Sequence, residues 1–144
     1  MDTIFVSIAS YMDKEVEHTI EDLLKNAEQP QNIIVGVFIQ DTSEEIERYK
    51  KLFSDRIKLR TIYIDHLESK GCCWARSRIQ CELFQNEKYY FQLDAHHRFV
   101  HGWDTICKNM LHNCVDTYSH NKIILSSYAV PCDLSNDVMK ITHQ

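Results

Sequence analysis

The sequence predicts an α/β fold with a mostly parallel sheet flanked by helices, and three observations carry that prediction. Apolar runs of strand length recur at Ile4 to Ala9, Ile33 to Ile39, Ile57 to Ile64 and Tyr89 to Leu93. Between them lie segments whose apolar residues recur at helical spacing, and such alternation builds βαβ units. The run Ile33-Ile34-Val35-Gly36-Val37-Phe38-Ile39 is nearly unbroken in β-formers, as a strand buried on both faces of a parallel sheet usually is.

The elements follow in order. After the first strand, Asp13 is placed to cap a helix over about 14–27, with Val16, Ile20, Leu23, Leu24 and Ala27 on one face. Pro30 stops it. The second strand ends in Gln40-Asp41, and Thr42 with Glu45 has the form of a capping box for a helix whose apolar face is Ile46, Tyr49 and Phe53. The acidic Glu44, Glu45 and Glu47 read as its solvated side. The third strand, 57–64, ends at Asp65. Gly71 opens a helix over about 73–85, with Ala75, Ile79 and Leu83 at i, i+4 and i+8. Tyr89 to Leu93 is the fourth strand. Trp103 to about Val115 is a further helix, and Ile123 to Leu125 a fifth strand.

With 144 residues the chain reads as one domain, 1–144, able to bury a core without staples. A net charge of -5 leaves no basic stripe to neutralise phosphates, so no nucleic-acid partner is expected. No stretch reaches the roughly 18 apolar residues of a membrane span, and the first residues read as a strand, not a signal peptide. Six cysteines without a Cys-x-x-Cys pair point to reduced thiols and a cytoplasmic setting.

The chemistry concentrates in Tyr89-Tyr90-Phe91-Gln92-Leu93-Asp94-Ala95-His96-His97-Arg98, an apolar strand that breaks into acidic and imidazole groups. In open α/β sheets the carboxyl edge is where ligands bind. If the pleat continues to His96, Asp94 and His96 point the same way, with Ala95 turned aside. A carboxylate and an imidazole so placed suit a divalent cation, and the cation a phosphate. Ser7 to Asp13, Gln40-Asp41 and Asp65 to Arg78 follow the other strands and are expected on the same edge. There is no Gly-x-Gly-x-x-Gly and no Walker loop, so a phosphate here would rely on metal and arginine.

Four ordered blocks now resemble one family. They are Phe5-Val6-Ser7-Ile8-Ala9-Ser10-Tyr11-x-Asp13; Val35-Gly36-Val37; Gly71-Cys72-x-Trp74-Ala75-Arg76; and Tyr90-Phe91-Gln92-Leu93-Asp94-x-His96-x-Arg98-Phe99-x-x-Gly102-Trp103-Asp104. Across roughly residues 3–128 the chain resembles the GlcNAc-transferase family, best known for cytosolic polypeptide α-N-acetylglucosaminyltransferases that modify a hydroxyproline on a ubiquitin-ligase adaptor. The resemblance implies a GT-A-like, Rossmann-like nucleotide-sugar-binding half and metal-dependent, retaining transfer of a sugar, GlcNAc foremost, from a UDP-sugar to a hydroxyl acceptor such as a protein. It implies Mn²⁺ or Mg²⁺ on Asp94 and His96, an Asp-x-His version of the Asp-x-Asp motif and the catalytic pair. It also implies UDP-sugar contacts from Ser7, Ser10, Tyr11, Asp13, Arg76 and Asp94.

Two departures go with it. Met12 stands where an arginine is expected, and the chain ends at Gln144, short of the half that would carry acceptor contacts and a further metal ligand. The expectation is therefore a domain without its acceptor-binding part, completed by a partner chain or oligomer. The alternative is a truncated, non-catalytic module that binds nucleotide sugar. A metal hydrolase or oxygenase using Asp94, His96 and a distant His120 or His143 stands third, since Asp-x-His on a parallel sheet is not the usual iron pattern. Trp74 and Trp103 are expected in the core, Asp104 as a cap for its helix, and His97 and His101 as loop histidines.

Overall fold

A computed structural model describes residues 2–133 and 140–141. Four parallel strands form the central sheet: β1 (Ile4–Tyr11), β2 (Ile33–Asp41), β3 (Leu59–Asp65) and β4 (Tyr89–Asp94), in the order β3-β2-β1-β4. Four helices join or follow them: α1 (Glu15–Asn26), α2 (Ser43–Phe53), α3 (Cys72–Glu82) and α4 (Trp103–Tyr118). Cys132–Asp133 and Lys140–Ile141 pair as a separate two-residue antiparallel ladder.

The pleat divides the apolar residues between two layers. Ile4, Val6 and Ile8 of β1, with Val35, Val37 and Ile39 of β2 and Leu93 of β4, share one core with Val16, Ile20 and Leu23 of α1, Ile46, Tyr49 and Phe53 of α2 and Trp103 of α4. Phe5 and Phe38 turn to the other face, where Ala75 and Ile79 of α3 cover them. Helices on both sides explain why β1 and β2 read as continuous apolar runs. Gly36 belongs to this packing: a Cβ there would lie 2.2 Å from Phe5 Cζ, so Phe5 occupies the space a side chain would need.

The expected order of the first four strands and of the helices holds, with ends shifted by a few residues. Two expectations need correction. Ile57 lies outside β3 and is 98% exposed. Ile123 to Leu125 is not a strand: the chain from 122 to 131 is irregular, with Ile124 90% exposed. β-propensity expresses a fit to a pleated, half-buried surface, and among the described residues nothing covers this run.

Candidate functional site

All four strands run the same way, so their carboxyl ends share one edge. Tyr11 lies opposite Gln40, Asp41 opposite Asp65, and Asp94 opposite Ala9. The loops after β1, β2, β3 and β4 therefore meet, as expected from the sequence.

One wall of the resulting cleft is the segment from Ala95 to Asp104, and it is fastened along α1. The hydroxyl of the buried Thr19 donates to Ala95 O at 2.7 Å and accepts from His97 N at 2.9 Å. Arg98 donates to Glu15 Oε2 at 2.6 Å, and Phe99 N to Asp22 Oδ2 at 2.6 Å. Gly102 N reaches Asn26 O at 2.7 Å, and Trp103 Nε1 reaches Leu23 O at 2.8 Å. Gly102 has φ 74°, and a Cβ there would lie 3.0 Å from Glu28 Oε1, so a side chain at this position would be strained. Asp104 is 1% exposed and accepts from Glu28 N at 2.9 Å and Gln29 N at 3.0 Å. Burial works to raise the pKa of its carboxyl, but the backbone N–H groups of Glu28, Gln29 and Thr105 prevail and hold it low. The same carboxylate, after the larger effect of burial, raises the pKa of the Cys107 thiol.

The other wall is the loop from Asp65 into α3. Asp65 accepts from Leu67 N at 2.9 Å, and Ser69 accepts from Gly71 N at 3.3 Å. Gly71 precedes α3 without any side-chain cap, leaving helix-start N–H groups at the cleft. Between the walls runs Gln40, only 2% exposed. Its amide donates to Ser10 O at 3.1 Å and accepts from Ser69 Oγ at 2.6 Å, while its carbonyl accepts from Met12 N at 2.9 Å. Met12 takes φ 48° in that turn.

The candidate residues separate into those the fold brings together and those it does not. Arg76 NH2 donates to Asp94 Oδ1 at 2.8 Å, joining α3 to the end of β4. Arg76 Nε is buried without a hydrogen-bond partner. His96 Nδ1 is 2.8 Å from Asp13 Oδ2, joining the β4 loop to the β1 turn. β4 stops at Asp94 and residues 95–96 form a bend, yet exposure still alternates: Asp94 and His96 are open and Ala95 is buried. Tyr11 is 54% exposed at the cleft rim. Ser10 is buried, its hydroxyl 3.5 Å from Asp13 O.

Ser7, which the resemblance implies as a UDP-sugar contact, is not on the loop after β1. It lies within β1, opposite Gly36 and Gln92, at 0% exposure and with an unpartnered hydroxyl. The start of α4 at Gly102 has no side-chain cap, and Asp104 instead ties that start to the residues after α1. Trp103 is core as expected, while Trp74 is half-buried against Phe38, ring centroids 5.3 Å apart. His120 accepts from Lys122 N at 2.9 Å beyond α4, and His143 lies outside the described residues. No group of three or more His, Cys, Asp or Glu placed to hold a metal occurs among the described residues.

Sequence reading missed Thr19, Asp22 and Ser69, and gave Gln40 no role. Their partners are distant in sequence, 76 residues from Thr19 to Ala95 and 29 from Gln40 to Ser69. A polar residue on an otherwise apolar helix face, as Thr19 is beside Val16, Ile20 and Leu23, is the one signal that was available.

No curated protein matches the chain. Among solved structures, S. aureus TarS 1-349 superposes with a TM-score of 0.58 at 10% identity, over 81% of this chain and 33% of that one. The same TarS fragment in complex with UDP-GlcNAc gives 0.60 at 10% identity, over 87% and 37%. The chain thus spans about a third of these neighbours' length, and at such identity the likeness shows the fold, which is of the GT-A-like type. A family model described as Glycosyltransferase (GlcNAc) matches residues 3–54 and 40–140, and by that match the chain belongs to the GlcNAc glycosyltransferase family.

Proposed function

We propose that this chain is the donor-binding part of a UDP-sugar-dependent glycosyltransferase that moves a sugar, GlcNAc foremost, to a hydroxyl acceptor, with a protein as the acceptor class. The observation that carries the reading is the pairing across the cleft of Arg76 with Asp94 and of Asp13 with His96, drawn from all but one of the strand-end loops. TarS, a neighbour in fold, is seen bound to UDP-GlcNAc, which is the donor assigned here.

Asp94 and His96 are the residues that would hold a divalent cation, Mn²⁺ or Mg²⁺. Their side chains are 55% and 63% exposed, and one carboxylate and one imidazole fit a cation that takes its remaining oxygens from water and phosphate. Such a cation, when bound, supplies charge neutralisation to the departing diphosphate. Arg76 offers a planar guanidinium suited to phosphate or sugar oxygens, with Nε still unpartnered. Tyr11 offers an aromatic face to the base, and the turn from Ser10 to Asp13 backs it. The acceptor contacts, and a further metal ligand, fall to residues outside this arrangement, from a partner chain or a second copy. Cys72, Cys73, Cys81, Cys107 and Cys114 are free thiols, which supports the assignment to a reducing, cytoplasmic compartment. No helix among the described residues is long and apolar enough to cross a membrane.

A nucleotide-sugar-binding module without transfer is the second reading. It is favoured by the lack of any three-ligand group among the described residues. One experiment addresses both. UDP with Mn²⁺ at about 100 times Kd should stabilise the chain by about 2.7 kcal/mol and raise its melting temperature by several degrees. Asp94→Ala should abolish that shift. A wild-type chain indifferent to every UDP-sugar with metal would overturn the proposal, and donor hydrolysis across UDP-sugars with Mn²⁺ separates an enzyme from a binder.

A further inference from the structure

His96 and Asp13 are 83 residues apart in sequence, yet their side chains meet at 2.8 Å. Asp13 is fixed from both sides. Its Oδ1 accepts from Glu15 N at 3.0 Å at the start of α1, which points Oδ2 at the imidazole. The backbone around His96 is fixed as well, by the buried Ala95 on one side and by His97 N on Thr19 on the other. The His97 ring lies alongside that of His96, 6.0 Å away and 15° from parallel.

The contact has a consequence for the proton on the ring. An ionised carboxylate only accepts, so the imidazole nitrogen facing it, Nδ1, must carry the hydrogen. A neutral imidazole has one N–H, and Nε2 is then left with a lone pair. We propose that Asp13 is a positioning residue for His96, holding the imidazole proton on Nδ1 so that Nε2 is the nitrogen presented to a divalent cation. This rests on the metal-dependent reading above. It gives Asp13 a different task from the nucleotide contact its place in the sequence suggests. Carboxylates behind metal-ligating histidines fix the tautomer and raise ligand basicity, and losing one typically costs 10–100-fold in metal affinity.

Asparagine at this position separates the two tasks. In Asp13→Asn the side-chain oxygen can still accept from Glu15 N, because asparagine caps helices as well as aspartate does. Its amide nitrogen then donates toward His96 Nδ1, and the ring proton moves to Nε2. The Asp13→Asn chain should melt within about 2 °C of wild type while its Mn²⁺ affinity, titrated with UDP present, falls about 10–100-fold. Asp13→Ala should lose both.

A second readout needs no metal. Long-range ¹H–¹⁵N spectra of the histidine rings at pH 8, with His96 assigned by the His96→Gln variant, should show the Nδ1–H form in wild type and the Nε2–H form in Asp13→Asn. An Nε2–H ring in wild type overturns the proposal. So does undiminished Mn²⁺ affinity in Asp13→Asn. A loss of chelator-insensitive UDP binding in that variant returns Asp13 to a nucleotide contact. A wild-type chain that binds neither Mn²⁺ nor UDP defeats the underlying functional reading instead, so the two failures are distinguishable.

Discussion

The two walls of the cleft are built differently. The Ala95–Asp104 wall is hydrogen-bonded along the length of α1, from Glu15 and Thr19 through Asp22 to the residues after Asn26, and it ends in the buried Trp103 and Asp104. The wall leading into α3 is held by Ser69 and Gln40, by a short turn at Asp65, and by a helix start with no side-chain cap. The difference would suit the roles proposed above, a cation held by Asp94 and His96 and a phosphate met by Arg76. A pair of cation ligands gains from fixed geometry, since a small displacement of either weakens the site. In the proposed function Arg76, paired with Asp94 here, would take a phosphate in its place and would have to change partners. Few buried apolar contacts and hydrogen bonds that lie open to solvent are the features of segments that open at low cost.

The heaviest blow to the fixed wall is at Asp104. Asp104→Ala removes the carboxylate that accepts two partly buried hydrogen bonds from Glu28 N and Gln29 N, at a cost of about 3 kcal/mol. The measurement is chemical denaturation at pH 7. Acid should reproduce part of the effect in wild type. The carboxyl pKa is lower folded than unfolded, so its contribution is fully present above the unfolded value of about 3.9 and is lost as pH falls through the folded value. Wild type should therefore show an added loss of stability below about pH 4 that Asp104→Asn lacks. Parallel acid limbs in the two proteins would mean that Asp104 is not the anchor.

A milder and more local change is Thr19→Val, which keeps the shape of the side chain and removes its hydroxyl. His97 N and Ala95 O lose their partner in a buried setting, costing about 2 kcal/mol. Because this contact flanks Asp94 and His96, affinity for Mn²⁺ with UDP should fall along with the melting temperature. If affinity holds while stability drops, the fixed wall serves the fold alone.

Thr19 also shows what the sequence could and could not disclose. The fold was legible because burial leaves a trace: near-continuous apolar runs in β1 and β2, buried on both faces, and the i, i+4 rows of α1 and α3. Asp94, His96 and Arg76 were legible as residue types at strand ends and helix starts, where a parallel sheet gathers its ligands. Thr19, Gln40 and Ser69 left no such trace, because a single hydrogen bond between distant residues has no period. Ile123 to Leu125 misled for the complementary reason. The run has the composition of a strand, but composition cannot supply the neighbour that pairs with it. Ser7 misled in a third way, since its place in a motif hid its place in a pleat.

The smallest expected effect tests the loose wall, and it is the most discriminating. Ser69→Ala removes the hydroxyl that donates to Gln40 Oε1 and accepts from Gly71 N. The site is partly exposed, so water can replace these bonds and stability should fall by about 1 kcal/mol or less. The change should appear instead as faster amide exchange through residues 69–76, with exchange through residues 95–104 untouched. UDP–Mn²⁺ affinity should shift by only a few-fold, because Asp94 ends β4 and His96 stands on the other wall. If Ser69→Ala instead loosens both segments together, the walls are one cooperative unit, and Gln40, which bonds Ser10 on one side and Ser69 on the other, is the link that makes them so.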